Sequence, residues 1–312
     1  MNTTINGPTA SYLDLYKTGE LQNRTTVLTK YYHKCALCPH TCKVDRTKGE
    51  KGICRSGMHA VVASYNAHYG EEPPISGYSG SGTIFFSGCT GRCLFCQNYP
   101  ISQLGIGNIV TDERLAEIMI ELQECGCHNI NLVTPTHFIP SILSALLIAV
   151  SMGLHIPLVY NTSGYERLEI IELLGGIVDI YLPDVKYADN ATALRISGFK
   201  RYVEHNRSAL IEMFKQVGNL KIKKGIAVKG LIIRHLILPQ ELSGTESVMR
   251  FLSESISPNI YVSMMDQYFP AHKALSSETL SRRISVNEYN DAIEYFTRCG
   301  LHNGWIQEHF LV

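Results

Sequence analysis

From residue 83 onward, short apolar runs of strand length alternate with stretches of helical period, and this alternation limits the possible folds more than any other feature of the chain. The runs fall at 83–86, 130–133, 156–160, 177–182, 231–238 and 260–264. Between the first two, Leu115, Ile118, Met119 and Leu122 share one face, with Thr111 or Asp112 as cap and Gly126 as stop, which predicts an amphipathic helix over 111–125. Pro140 opens and Gly153 closes a second, very apolar helix, and further helices are expected near 166–174, 208–217, 246–255 and 286–299. Residues 187–205 read as a longer polar connection. Six strand–helix units with mainly apolar strands imply an α/β fold, a parallel sheet covered by helices. Six units are too few to close an eight-stranded barrel.

Directly after the first run, 83–102 reads TIFFSGCTGRCLFCQNYPIS, with Cys89, Cys93 and Cys96 spaced C-x3-C-x2-C. A tight loop lets three sulfurs this close in sequence point at one metal centre. Zinc sites and ordinary ferredoxin clusters take a fourth ligand, and no cysteine lies between Cys96 and Cys125 to provide it. A cluster held by three cysteines leaves one iron open for chemistry. Upstream, Cys35, Cys38, Cys42 and Cys54 give C-x2-C-x3-C-x11-C among Lys, Thr and Gly residues that read as turns. That segment has almost no apolar core, so a metal would have to supply its folding energy. Four sulfurs suit either a second [4Fe-4S] cluster or a zinc ion. His33 and His40, beside a full set of thiolates, read as surface residues. Seven of the ten cysteines sit in these two groups, which favours metal ligation over disulfides and a reducing, oxygen-poor cytoplasm as the location. Cys125, Cys127 and Cys299 read as partly buried thiols.

With 28 basic and 28 acidic residues, the chain shows no overall footprint for nucleic acid or an anionic membrane, and neither is expected as a partner. Its longest apolar run, 142–150, is far short of the ~20 residues that span a bilayer, and the first residues lack the order of a secretory signal. Three parts are expected: an N-terminal arm over 1–30 anchored by Leu13, Tyr16 and Leu21; a cysteine-rich segment over 31–82 ending in a Gly-, Pro- and Ser-rich linker; and the main domain over 83–312. Glu71 and Glu72 in the linker read as a solvated turn rather than as a rim of the site.

The cysteine stretch, with Phe95 immediately before the third cysteine and Asn98 in the following Cys-Gln-Asn, resembles the cluster motif of the radical S-adenosylmethionine (SAM) superfamily. Over essentially 31–310, including GSGTIFFSGC, CQN, DVK and RHLILP, the chain resembles proteins like pyruvate formate-lyase activating enzyme, in the branch with an N-terminal CxLCPxxC segment. The resemblance implies a partial (β/α)6 open barrel. It also implies a [4Fe-4S] cluster on Cys89, Cys93 and Cys96, with Phe95 and Asn98 beside the cofactor and SAM chelated at the open iron. Reduction would then yield methionine and a 5′-deoxyadenosyl radical for hydrogen-atom abstraction. A flavodoxin or ferredoxin would deliver the electron, and the target would be a glycyl radical enzyme. Radical modification of another peptide or of a small molecule is the second enzymatic reading. A non-catalytic iron-sulfur electron carrier is the reading from a different class.

Barrels of this kind carry their sites at the carboxyl ends of the strands. After the second strand come Thr134 and Thr136, in place of the Gly-Gly-Glu-like stretch by which the superfamily binds the SAM amino group; His137 reads as a substrate-facing acid or base, or as a helix cap. After the third come Asn161 and Ser163, which resemble the Thr-Asn-Gly stretch of glycyl-radical activating enzymes near the SAM ribose or carboxylate. Asp184 and Lys186 after the fourth resemble those enzymes' Asp-x-Lys motif and, being two apart on extended chain, share a face; Lys186 would pair with the SAM carboxylate. Arg234 and His235 stand in the otherwise apolar fifth strand. One of them points inward, and an inward arginine needs an anionic partner, for which the SAM carboxylate is the candidate beside a structural salt bridge. Residues 264–268 after the sixth strand read as pocket lining or plain core.

Overall fold

Strand formation follows the two-residue alternation of the apolar runs. In the run Ile130–Val133, Ile130 and Leu132 are buried against helices while Asn131 points to the other face, where its side chain meets Thr83 and Glu71. The computed structural model describes residues 10–306. Its strands are β1 (Val61–His68), β2 (Ser81–Phe86), β3 (Asn108–Ile109), β4 (Ile130–Val133), β5 (Leu158–Thr162), β6 (Ile180–Pro183), β7 (Lys221–Lys223), β8 (Ile226–Leu236), β9 (Tyr261–Met265) and β10 (Asn303–Ile306). They form one sheet in the order β10-β9-β8-β6-β5-β4-β2-β1-β3, with β7 hairpinned onto β8. The run from β2 to β10 is parallel throughout, whereas β1 and β3 extend it antiparallel. This is the expected α/β architecture, an open parallel-rich sheet of partial-barrel type.

All six expected strands are present. Added to them are β10, parallel to β9, and the pairing of β1 with β2. Neither had a clear sequence signal: Asn303–Ile306 holds two apolar residues, and Val61–His68 alternates too loosely. Helix Asp112–Glu124 starts where expected, the Thr111 hydroxyl accepting the Arg114 N–H at 3.2 Å. It buries Leu115, Ile118, Met119 and Leu122, each worth about 1.5–3 kcal/mol. Two helical corrections fall in the region read as a polar connection. Asn190–Ser197 is a helix capped by Asp189, and the following helix begins at Tyr202 rather than near 208.

The sheet has two differently filled faces. Outward residues such as Ile84, Leu132, Tyr160, Tyr181 and Ile233 join the large core under the helices. Inward, Val159, Ile180, Leu182, Ala227 and Ile232 form a small apolar group closed by Ile75, from the short helix Pro73–Ser76. The Ile75 carbonyl accepts the Asn129 side-chain amide at 2.9 Å, which fixes this helix at the amino-terminal ends of the strands. The stretch read as a linker with a solvated acidic turn is therefore a plug in the barrel, and Glu71 and Glu72 are buried inside it. Of the N-terminal arm, helices Tyr12–Lys17 and Glu20–Thr29 lie on the body. Leu21 anchors them as expected and Leu13 packs partly buried on the core, but Tyr16 is exposed, and Tyr12 and Leu28 are fully buried beside them. Tyr12 donates to the Ile156 carbonyl at 2.8 Å. Residues 1–9 lie outside the described part.

Candidate active site

The loop after β2 carries Cys89, Cys93 and Cys96 at the carboxyl end of the first parallel strand. Each sulfur meets a polar neighbour. The Gly91 N–H donates to Cys89 at 3.3 Å, the Ser197 hydroxyl donates to Cys93 at 3.0 Å, and the Ser102 hydroxyl lies 3.1 Å from Cys96. Ser197 ends the unforeseen helix Asn190–Ser197, whose carbonyls also accept the Arg92 and Leu94 N–H groups, so this helix braces the cysteine loop. Burial pushes the Cys89 thiol up to about 12 and raises Cys93, where Lys186 works in the opposite direction. Lys186 pairs with Asp184 at 2.6 Å. Burial opposes its charge, but Asp184 and the sulfurs of Cys93 and Cys89 outweigh it and raise its pKa. A lining of hydrogen-bond donors and one ammonium suits an anionic, sulfur-rich cluster.

The other expected site residues divide. Phe95 is buried edge-on against Tyr268, ring centroids 5.6 Å apart, and the Tyr268 hydroxyl donates to the Leu280 carbonyl, so Tyr268 is core and shields the loop. Asn98 is exposed and heads the short helix Tyr99–Ser102. Thr134 holds a left-handed backbone, φ 60°, with its N–H on the Asn161 carbonyl at 2.8 Å. Asn161 is buried on β5, and Ser163 is half-buried with its carbonyl accepting the Tyr202 hydroxyl.

Three placements correct the expectations. The Thr136 hydroxyl is turned away to Glu166 at 2.6 Å, so its side chain is committed before any ligand arrives. His137 is neither substrate-facing nor a cap. It is fully buried, its Nε2 meets the Ser87 carbonyl at 2.8 Å, and burial drives its pKa down to about 3, leaving a neutral brace between two loops. His235 points outward to the Val185 carbonyl (2.7 Å) and Thr245 (3.0 Å), with its pKa lowered by burial to about 4. Arg234 does point inward, and its anionic partners are protein side chains. It makes a two-pronged contact with Glu72 at 2.7 and 2.8 Å and a further bond to Glu71. Burial works to raise the Glu72 carboxyl, and Arg234 outweighs it and holds it below its ordinary value.

Glu166 escaped the sequence reading. Its carboxylate accepts from Thr136 after β4 and from Thr162 at the end of β5, so it ties both mouth loops together. A single glutamate at the start of an expected helix gives no signal of this.

The upstream cysteine segment meets the same loop through Cys54, beside Gly88, and His40. Cys35, Cys38 and Cys54 are buried, and burial, reinforced by the neighbouring sulfurs, holds the Cys38 thiol well above its ordinary range. Buried Arg46 donates to Cys54 at 3.2 Å and to the His137 carbonyl at 2.6 Å, and the Ile53 N–H lies 3.5 Å from Cys42. His40, read as a surface residue, binds the Thr90 carbonyl at 2.7 Å. Among the described residues no three His, Cys, Asp or Glu side chains converge tightly enough to hold a single metal ion.

Residues 83–252 match the model of the radical SAM superfamily, from β2 to the helix after β8. The chain belongs to the radical SAM superfamily. Membership implies a [4Fe-4S] cluster and SAM, and the lining of the Cys89 loop fits such a cluster. An uncharacterized protein of Methanocaldococcus jannaschii is 31% identical over 291 residues, 90% of this chain and 80% of the relative. A second uncharacterized protein of that organism is 27% identical over 172 residues, 49% of each chain. Two solved structures are distantly similar, at 12% identity. TYW1 with a lysine-pyruvate adduct bound has a TM-score of 0.45, covering 69% of this chain and 73% of its own. HydG, a maturase of the [FeFe]-hydrogenase, has 0.47, covering 69% and 48%. Among the described residues of this radical SAM protein no helix is long and apolar enough to cross a membrane.

Proposed function

We propose that this radical SAM protein cleaves SAM reductively and abstracts a hydrogen atom from a peptide glycine, as an activating enzyme for a glycyl radical enzyme. The observation that carries the reading is the convergence of Cys89 and Cys93 with the Lys186–Asp184 pair at the carboxyl ends of β2 and β6. When bound at Cys89, Cys93 and Cys96, the cluster would supply an electron and an open iron for the SAM amino and carboxylate groups. Lys186, held by Asp184, would pair with that carboxylate. Asn161 and Ser163 would approach the ribose, and the Thr134 backbone would take the ammonium contact that the Thr136 hydroxyl cannot make. Phe95 and Tyr268 would exclude water. The Glu71–Glu72–Arg234 plug fills the lower barrel, which supports a substrate that meets SAM at the rim, as a peptide loop does. We assign the upstream cysteines a second [4Fe-4S] cluster, with zinc the alternative.

The test is anaerobic. The protein is reconstituted with iron and sulfide, its iron counted, and dithionite and SAM added while 5′-deoxyadenosine is measured. Deoxyadenosine from the parent and none from a Cys89, Cys93, Cys96 triple alanine variant, with about four irons left on the variant, is the expected result. Zinc on the variant in place of iron identifies the other metal. A fully loaded parent that neither binds nor cleaves SAM would sink the enzymatic reading. Deoxyadenosine without a glycyl radical signal on a supplied glycyl radical enzyme would move the substrate to another peptide or a small molecule.

A further inference from the structure

The surface over the upstream cysteines is charged in a way the chain as a whole is not. The whole chain balances 28 basic against 28 acidic residues, yet 33–59 holds Lys34, Lys43, Arg46, Lys48, Lys51 and Arg55 against Asp45 and Glu50. Both acids are used locally. Asp45 accepts the Thr47 N–H at 3.0 Å and pairs with Lys48 at 3.4 Å, while Glu50 accepts the Asp45 N–H at 2.8 Å. Arg46 is turned inward to Cys54. That leaves Lys34, Lys43, Lys51 and Arg55 exposed.

Two open clefts share Lys51, Gly52 and Arg55. One, about 830 Å3 and so far larger than a single small anion needs, runs past Arg46, His59 and Cys54 to Gly88 and Ser102 of the cysteine loop. The other reaches His40, Cys42 and Arg92. No carboxylate lines either cleft, and neither do the barrel-facing Asn161, Asp184, Lys186 and Arg234. Arg92 lies within electrostatic reach of Arg55 and of the sulfurs of Cys89, Cys54 and Cys93, so the basic surface and both cysteine groups are neighbours. The segment also touches the loop directly. The Cys54 carbonyl packs on Gly88, where an added Cβ would sit 2.8 Å away, and His40 binds the Thr90 carbonyl.

Grouped like charges repel one another, and an acidic partner relieves that repulsion while being steered to the surface. Cleaving SAM takes one electron from outside the chain, and these clefts meet the cysteine loop from the side the barrel interior does not use. We propose that they form the docking face for a small acidic one-electron carrier, a flavin or iron-sulfur protein, which passes its electron to the Cys89 loop across the four-cysteine segment. The inference rests on the SAM-cleaving reading above. The electrons balance: the carrier is oxidised by one electron, which ends in the broken C5′–S bond of SAM, leaving methionine and a carbon radical without moving a proton.

The experiment measures the affinity of a purified acidic flavodoxin for the full-length reconstituted protein, at low and high salt, for the parent and for a K51E/R55E variant. The parent should lose affinity as salt rises, and the variant should bind about tenfold more weakly or worse at low salt. Dithionite-driven deoxyadenosine formation should be unchanged in the variant, which shows that it is folded and loaded. Equal affinity of parent and variant, or parent binding indifferent to salt, overturns the proposal. So does a single-stranded RNA that binds the parent as tightly as the flavodoxin, which would make the face a general polyanion site. Salt-sensitive flavodoxin binding through Lys51 and Arg55 by a parent that makes no deoxyadenosine would uphold the docking face and refute the SAM-cleaving reading separately.

Discussion

Glu166 is a fully buried carboxyl whose close partners are two threonine hydroxyls, with Tyr160 at 3.5 Å. Burial raises its pKa from 4.5 to about 7, against the hydrogen bonds of Thr136, Thr162 and Tyr160, which lower it. At this group the folded state therefore binds more protons than the unfolded state between these values, and the contribution of Glu166 to stability falls as pH rises through that window. Glu166→Gln keeps the shape and an acceptor oxygen but cannot ionise. Its thermal midpoint should gain on the parent's from about pH 4.5 upward and level off above about 7. Parallel pH profiles for the two proteins would count against a buried, titrating Glu166. His137 and His235, with pKa values driven by burial to about 3 and about 4, stay neutral in the fold but bind protons on unfolding below about 6.5. They make stability rise with pH up to that value in parent and variant alike, so the difference between the two proteins isolates Glu166. Thr136 and Asn161 could be picked out from their places after strands, but the direction of the Thr136 side chain could not. Which way a hydroxyl turns depends on Glu166, thirty residues further along the chain.

The cysteine loop owes its shape to the elements around it. The β2 end feeds it, the end of helix Asn190–Ser197 accepts two of its N–H groups, and the upstream segment presses on its first residue. Gly88 stands at that contact with φ +81°, and an added Cβ would lie 2.6 Å from the Ser56 hydroxyl and 2.8 Å from the Cys54 carbonyl. Alanine there meets both a left-handed backbone and a clash with main chain. Gly88→Ala should lower stability by about 1–3 kcal/mol in denaturant titrations and lower the iron bound after reconstitution, because it separates the two cysteine segments. Unchanged iron content with unchanged stability would show that the contact is not needed. At this scale the sequence was most legible. Hydrophobic period located all six expected strands and the Thr111 cap, whereas Asn190–Ser197 and β10 are too short or too polar to show a period.

In the whole molecule the plug joins parts far apart in the chain. Arg234 on β8 holds Glu72 and Glu71, 162 and 163 residues away, inside the barrel, and Asn131 on β4 donates to Glu71 at 3.0 Å. Arg234→Ala would leave two carboxylates buried without a cation, and should cost about 3–5 kcal/mol in a denaturant titration. Arg234→Lys should recover only part of that, since an ammonium cannot reproduce the two-pronged contact. A near-neutral alanine variant would mean that water reaches Glu71 and Glu72. The sequence by itself determined the α/β class, the strands, the three-cysteine loop and the need for a counter-ion at Arg234, because period, spacing and charge are local properties. Only the tertiary structure decided that this counter-ion is Glu71 and Glu72, that Glu166 clasps two loops, and that the upstream segment meets the cysteine loop at Gly88 and Thr90. Those contacts exist because parallel strand order brings distant residues together, and no local pattern records which buried polar group will meet which.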